Sequence, residues 1–201
     1  MKSFFLIVFI LLFSYLNLSS QTITFEKIYG DSADDRAYSV VQTFDSSYFV
    51  VGKTSSYGMG DFDVYLLKLN EKGDTLWTKT YGDNQTDIGY AVIQTNDSNI
   101  VIAGQTDSYS GAFWDILIIK ADLNGTALWT KAYGTVDFWE EAFDIKETFD
   151  GGFIICGWAE KIGNNWGEVF LMKINANGDS VWMKGFGTNI SDEYGKAVIQ
   201  T

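Results

Sequence analysis

From Tyr29 onward, short apolar runs alternate with clusters of Asn, Asp, Gly and Ser, and the alternation itself repeats. Residues 90–133 show the unit most clearly. YAVIQT (Tyr90 to Thr95) predicts a strand, a, and Asn96-Asp97-Ser98-Asn99 a turn. IVIAGQT (Ile100 to Thr106) predicts strand b, and a loop over Asp107 to Trp114 leads to strand c, DILIIKA (Asp115 to Ala121). A turn at Asn124-Gly125 leads to strand d, ALWTKAY (Ala127 to Tyr133). β-Branched runs punctuated by Asn, Asp and Gly mark antiparallel hairpins. Strands b and c are nearly continuous apolar runs, which predicts burial on both faces. Strand d alternates: in the preceding unit Trp77, Lys79 and Tyr81 fall on one side and Leu76, Thr78 and Thr80 on the other. That pattern suits a half-exposed outer strand.

The unit recurs with a period of 52 or 53 residues, seen in Trp77, Trp129 and Trp182. The aromatic-glycine pairs Tyr29-Gly30, Tyr81-Gly82, Tyr133-Gly134 and Phe186-Gly187 keep the same step. So do Gly52, Gly104 and Gly157; Lys68, Lys120 and Lys173; and Gly73, Gly125 and Gly178. Acids form two further columns: Asp63, Asp115 and Glu168 open strand c, and Asp35, Asp87, Glu140 and Glu193 precede strand a. Inner strands buried on two faces beside a polar outer strand predict an all-β fold, a β-propeller of four-stranded antiparallel blades. A β-solenoid is the alternative. Three whole blades are expected over about 31–82, 83–134 and 135–187, with the start of a fourth over 188–201. Thr22 to Gly30 matches strand d, so a lone strand d precedes the first blade, and Ser191 to Thr201 matches a lone strand a. Propellers close with 4–8 blades. The expectation is therefore an incomplete ring and a fragment of a longer chain.

Residues 1–20 stand apart. Lys2 precedes an apolar run from Phe4 to Leu16, broken only by Ser14, and Asn17, Leu18, Ser19 and Ser20 follow. This predicts a secretory signal peptide cleaved between Ser20 and Gln21. The run is shorter than the roughly 20 residues of a spanning helix; an uncleaved N-terminal anchor is its other reading. No later segment has the length to span a bilayer, so residues 21–201 are expected to be secreted or at the cell surface. Acids outnumber bases 26 to 14, a net charge of −12. That argues against nucleic acid and anionic membrane surfaces as partners. The absence of histidine removes the commonest metal ligand and every triad that needs an imidazole. A single cysteine, Cys156, allows no disulfide within the chain; in the column of Val51 and Ala103 it is expected to be a small buried hydrophobe.

The segment from Asn70 to Trp77 has the form [ND]-x-x-G-x-x-x-W, repeated over Asp122 to Trp129 and Asn175 to Trp182. It resembles the tryptophan-docking repeat of quinoprotein-like (PQQ-like) β-propellers, in which the Trp wedges between blades and the Gly makes the turn. The whole unit, with AVIQT, a D-x-x turn, IVIAG and D-x-x-x-x-K, is similar to the roughly 50-residue propeller repeats of secreted bacterial surface proteins. Many of those end in a type IX secretion sorting domain. The family's Asp-Gly-Gly turn stands only at Asp150-Gly151-Gly152; the others are Asp45-Ser46-Ser47 and Asp97-Ser98-Asn99. The resemblance covers residues 22–201 and implies fold and export more than function.

Quinoprotein dehydrogenases hold their cofactor in a closed ring with polar ligands and calcium. Nothing in this sequence marks those ligands, so no cofactor is expected. Asn175, Asn177 and Asp179 lack the spacing of an EF-hand loop, so no metal site is expected either. Acids repeated in every unit are expected to accept backbone N–H bonds at loop ends, and the repeated lysines to pair with those acids. The non-repeating tryptophans are the candidate site. Trp139 falls in a d–a loop, Trp114 and Trp166 in b–c loops, and Trp158 at the end of a strand b. The two loop sets open on one face, with Lys161, Asn164 and Asn165 nearby. Aromatics beside amides suit sugar rings or a protein partner. Because every b–c loop carries an aromatic, loop packing is the other reading. The expected function is a non-catalytic binding or adhesion module for a glycan or protein. The alternatives are the accessory region of a secreted hydrolase whose catalytic domain lies beyond residue 201, and a spacer in a surface adhesin.

Overall fold

The computed structural model describes residues 26–109, 113–161, 163, 166–188 and 190–201; the expected signal peptide, Asn164 and Asn165 lie outside them. The described strands form three four-stranded antiparallel sheets, each pairing strands in chain order. The first contains β1 (Asp35–Gln42), β2 (Tyr48–Thr54), β3 (Asp63–Leu69) and β4 (Thr75–Tyr81). The second contains β5 (Asp87–Gln94), β6 (Ile100–Thr106), β7 (Asp115–Ala121) and β8 (Ala127–Tyr133). The third contains β9 (Phe138–Glu147), β10 (Phe153–Lys161), β11 (Glu168–Ile174) and β12 (Ser180–Phe186). Strands b, c and d of the second unit stand where the sequence places them, but strand a starts at Asp87 rather than Tyr90.

A bulge explains that difference. Ala37, Gly89 and Ala142 pair with Gly52, Gly104 and Gly157, and the register then skips Tyr38, Tyr90 and Phe143. A bulge leaves one residue unpaired and bends its strand. It also accounts for the strand-b glycine column. A Cβ on Gly52, Gly104 or Gly157 would lie 1.7–1.8 Å from the carbonyl oxygen of Arg36, Ile88 or Glu141.

The sheets pack through their inner strands. Phe49, Val51, Val64 and Leu66 of the first meet Val92, Ile100, Ile102, Leu117 and Ile119 of the second. Ala91, Val101, Ala103, Ile116 and Ile118 meet Ala142, Ile145, Phe153, Ile155, Phe170 and Met172 of the third. Strands β6 and β7 are buried along their whole length, and each buried aliphatic side chain contributes about 1.5–3 kcal/mol. The outer strands interlock by a repeated device. Trp77 and Trp129 lie against Gly125 and Gly178 in the c–d turn of the following sheet. The Tyr81 hydroxyl donates to the Gly125 carbonyl (2.9 Å) and that of Tyr133 to Gly178. Those turn glycines adopt φ of +75° and +78°, a region that disfavours a side chain.

Lys68, Lys120 and Lys173 do not pair with the strand-c acids. They reach Asp45, Asp97 and Asp150 in the a–b turns, at 3.6, 2.8 and 3.0 Å. The reason is register: each lysine lies near the far end of strand c from its acid, beside the turn that joins a to b. Cys156 is buried, and burial pushes its thiol up to about 11.

The lone strands d and a are not ladder-paired: residues 26–30 and 191–201 carry no strand assignment. Two of their side-chain contacts parallel those made by the paired strands. The Tyr29 hydroxyl donates to the Gly73 carbonyl (2.8 Å), as Tyr81 does to Gly125. Gln200 accepts from the Phe149 amide as Gln94 does from that of Phe44. Among the described residues no helix is long and apolar enough to cross a membrane.

Candidate functional site

Each junction between sheets brings one acid from strand c beside one acid from the next strand a. The backbone sets this up: the Asp87 and Glu140 amides donate to the carbonyls of Phe62 and Trp114, both at 2.7 Å, and Glu193 donates to Gly167 at 3.0 Å. The aromatic-glycine column lets the acids approach. A Cβ on Gly82 would lie 2.5 Å from Asp63 Oδ1 and 2.6 Å from Asp87 Oδ2, and one on Gly134 would lie 2.0 Å from Asp115 Oδ1.

The strand-a acids form a graded series. Both oxygens of Asp35 are satisfied: Thr54 donates to Oδ1, and Ser56 Oγ (2.7 Å) and the Asp31 amide (2.8 Å) to Oδ2. Burial pushes this carboxyl up, but those hydrogen bonds outweigh it and hold it below its ordinary value. Asp87 accepts from Ser108 Oγ (2.6 Å) and the Asp83 amide (3.1 Å) on Oδ2, while its buried Oδ1 has no partner. At Glu140 the hydroxyls are gone: the register partners Thr54 and Thr106 become Ala159, and Ser56 and Ser108 become Lys161. Glu140 is 4% exposed, and its Oε2 lacks a partner. Burial, with the Asp115 charge beside it, pushes its carboxyl up to about 8 against the hydrogen bond from the Thr135 backbone. A buried, unsatisfied carboxyl with a raised pKa marks a functional candidate.

Glu140 also lines a cleft of about 350 Å³ with Thr135, Phe138, Ala159, Glu168, Val169, Phe170, Met183 and Gly185. Strand alternation puts Phe138 and Glu140 on the cleft side of β9 and Trp139 on the other.

The tryptophans divide. Trp114 and Trp139 are each 39% exposed and lie 6.2 Å apart between ring centroids, with Phe113 also 6.2 Å from Trp139. They immediately precede Asp115 and Glu140, on the two strands that meet at this junction. The same places hold Phe62 and Thr86 at one junction and Gly167 and Asp192 at the other. Trp166 is exposed, but no ring contact joins it to the pair. Trp158 is not on an exposed rim: it is 8% exposed and stacked on Tyr194 at 5.9 Å and 15°. Gly167 leaves the space it fills, since a Cβ there would lie 1.8 Å from Trp158 Nε1. The repeated Trp77 and Trp129 serve the sheet interlock, and Trp182 lies on exposed β12.

A further column, which the sequence reading passes over, forms a line of contacts. The bulge residues Tyr38, Tyr90 and Phe143 touch in sequence, at 5.2 and 5.5 Å between centroids, and Lys196 Nζ continues the line 3.3 Å from the Phe143 centroid. The 52- and 53-residue spacing of these four positions is the signal that marks them in the sequence. Among the described residues, no group of three or more Cys, Asp or Glu side chains is placed to hold a metal ion.

No family model matches the chain, and no curated protein matches it. A solved structure described as a crystal structure of the eukaryotic initiation factor is similar over 81% of this chain and 35% of its own, at 11% identity and a TM-score of 0.46. A protein of unknown function from Bacteroides caccae is similar over 75% of this chain and 67% of its own, at 11% identity and a TM-score of 0.36. The chain spans about a third of the length of the first. Neither likeness carries an argument about function.

Proposed function

We propose that the three sheets are blades of a secreted or cell-surface β-propeller that acts as a non-catalytic binding module for a glycan or protein. The PQQ-like docking repeat and the signal-peptide pattern of residues 1–20 support the architecture and the export. The observation that carries the binding reading is the half-exposed Phe113, Trp114 and Trp139 cluster, which has no counterpart among the described residues of the other junctions. Rigid aromatics offer large contact area at low entropy cost and stack on the apolar faces of sugar rings. Exposed aromatic patches are the surfaces that need a functional explanation.

Affinity electrophoresis in gels containing soluble glucan, xylan or mannan, together with pull-down from extracellular protein extracts, tests this reading. The wild-type protein is expected to be retarded or to capture a partner. Trp114→Ala and Trp139→Ala are expected to lose that behaviour while keeping native circular dichroism. Binding that survives both substitutions in folded protein overturns the rim as the site.

A further inference from the structure

The cleft beside the aromatic rim has a different chemistry from the rim itself. Four departures from the repeat make it. Ala159 replaces Thr54 and Thr106, and Gly185 replaces Thr80 and Ala132, which removes bulk. Glu140 replaces Asp35 and Asp87, and Glu168 replaces Asp63 and Asp115, which lengthens both acids. The result is a space of about 350 Å³, at the small end of ligand pockets, with carboxyls from two strands and apolar walls from Phe138, Phe170 and Met183. Glu140 Oε2 is buried without a partner. Glu168 makes no hydrogen bond or ion pair with any described residue, and among the described side chains no Lys or Arg lines the space. Unpaired buried acid oxygens are costly, and a cation that desolvates with them removes the cost.

We propose that this cleft binds an organic cation: an alkylammonium group placed between Glu140 and Glu168, its hydrocarbon chain against Phe138, Phe170 and Met183. The aromatic rings give that chain apolar contact area. This goes beyond the rim reading and does not depend on it. Among the described side chains, the charge acting on Glu140 is Asp115 from β7, and Glu168 from β11 shares the cleft; β10 presents Ala159, and β12 presents Met183 and Gly185. Because Glu140 holds its proton up to about pH 8, binding of a cation to its carboxylate releases that proton. Affinity therefore rises by about tenfold from pH 7 to pH 9, while an alkylamine stays charged throughout.

Isothermal titration calorimetry with 1,5-diaminopentane and with N-acetyl-lysine amide tests the proposal, with 1-pentanol as the uncharged comparison. The expected result is amine binding about tenfold tighter at pH 9 than at pH 7, no pentanol binding, and a loss of about tenfold or more in Glu168→Gln and in Glu140→Gln. Glu168 is only half-buried, so its variant keeps the test valid should Glu140→Gln fold poorly. Binding of both amines assigns a lysine side chain as a competent source of the group; binding of the diamine alone assigns a free amine. Trp139→Ala is expected to leave amine binding unchanged, which separates this site from the rim. No heat with either amine, equal binding of pentanol, or binding indifferent to both Gln variants overturns the proposal.

Discussion

Asp35 and Glu140 hold the same place in the repeat and have opposite surroundings. Asp35 is clamped by Thr54, Ser56 and the Asp31 amide and is held ionised. Glu140 has lost both hydroxyls, keeps an orphan oxygen, faces Asp115 and is pushed up to about 8. The comparison teaches that repetition of an acid does not fix its role. What the acid does follows the residues found 19 and 21 positions later: Thr54 and Ser56, whose hydroxyls reach Asp35, are replaced in the third unit by Ala159 and Lys161, which carry no hydroxyl. At the first position the acid staples a loop; at the second it is an unsatisfied group beside a cleft and two half-exposed tryptophans.

The largest expected effect breaks the comparison through pH. Glu140 binds its proton more tightly folded than unfolded, so its contribution is fully present below its ordinary value of 4.5 and is lost as pH rises to about 8. At roughly 1.4 kcal/mol per unit, this loss is at most about 5 kcal/mol. Glu140→Gln cannot ionise, so urea unfolding across pH 5 to 8.5 is expected to show that the variant lacks this part of the decline.

Next in size is the contrast between docking and rim tryptophans. Trp129→Ala, which removes the ring against Gly178, is expected to cost about 3 kcal/mol in denaturant unfolding. Trp139→Ala, on a half-exposed ring, is expected to cost about 1 kcal/mol or less. Between these lies the clamp. Thr54→Ala is expected to cost about 1–2 kcal/mol near neutral pH and to raise the pKa of Asp35 toward its ordinary value, read by carboxyl chemical shifts.

The sequence foretells strands b, c and d because their apolar runs and Asn-Gly turns reflect local geometry. The start of strand a is hidden, since the bulge at Tyr90 breaks the alternation and Gly89 offers no side chain to read. The columns of glycine, lysine and acid are visible in the chain, but their partners are not. Gly104 answers to the Ile88 carbonyl and Lys120 to Asp97, and only the register shows either. Trp114 and Trp139 are legible as non-repeating aromatics, and their contact follows from the junction between the second and third sheets. Trp158 gives no sequence sign of burial, because the opening that admits it is the missing side chain of Gly167. Glu140 is legible only as a broken partnership: the acid persists while the Thr-x-Ser pair, which satisfies both oxygens of Asp35 and gives Asp87 one hydroxyl, does not.

The central claim is that the junction between the second and third sheets has lost the hydroxyl partners that its repeat equivalents keep and has become a site. Carbon-detected NMR titration of the side-chain carboxyls tests it most directly. The account predicts that Glu140 titrates near pH 8 while Asp35 titrates below its ordinary value. A Glu140 carboxyl that titrates near 4.5 in the folded protein would contradict it.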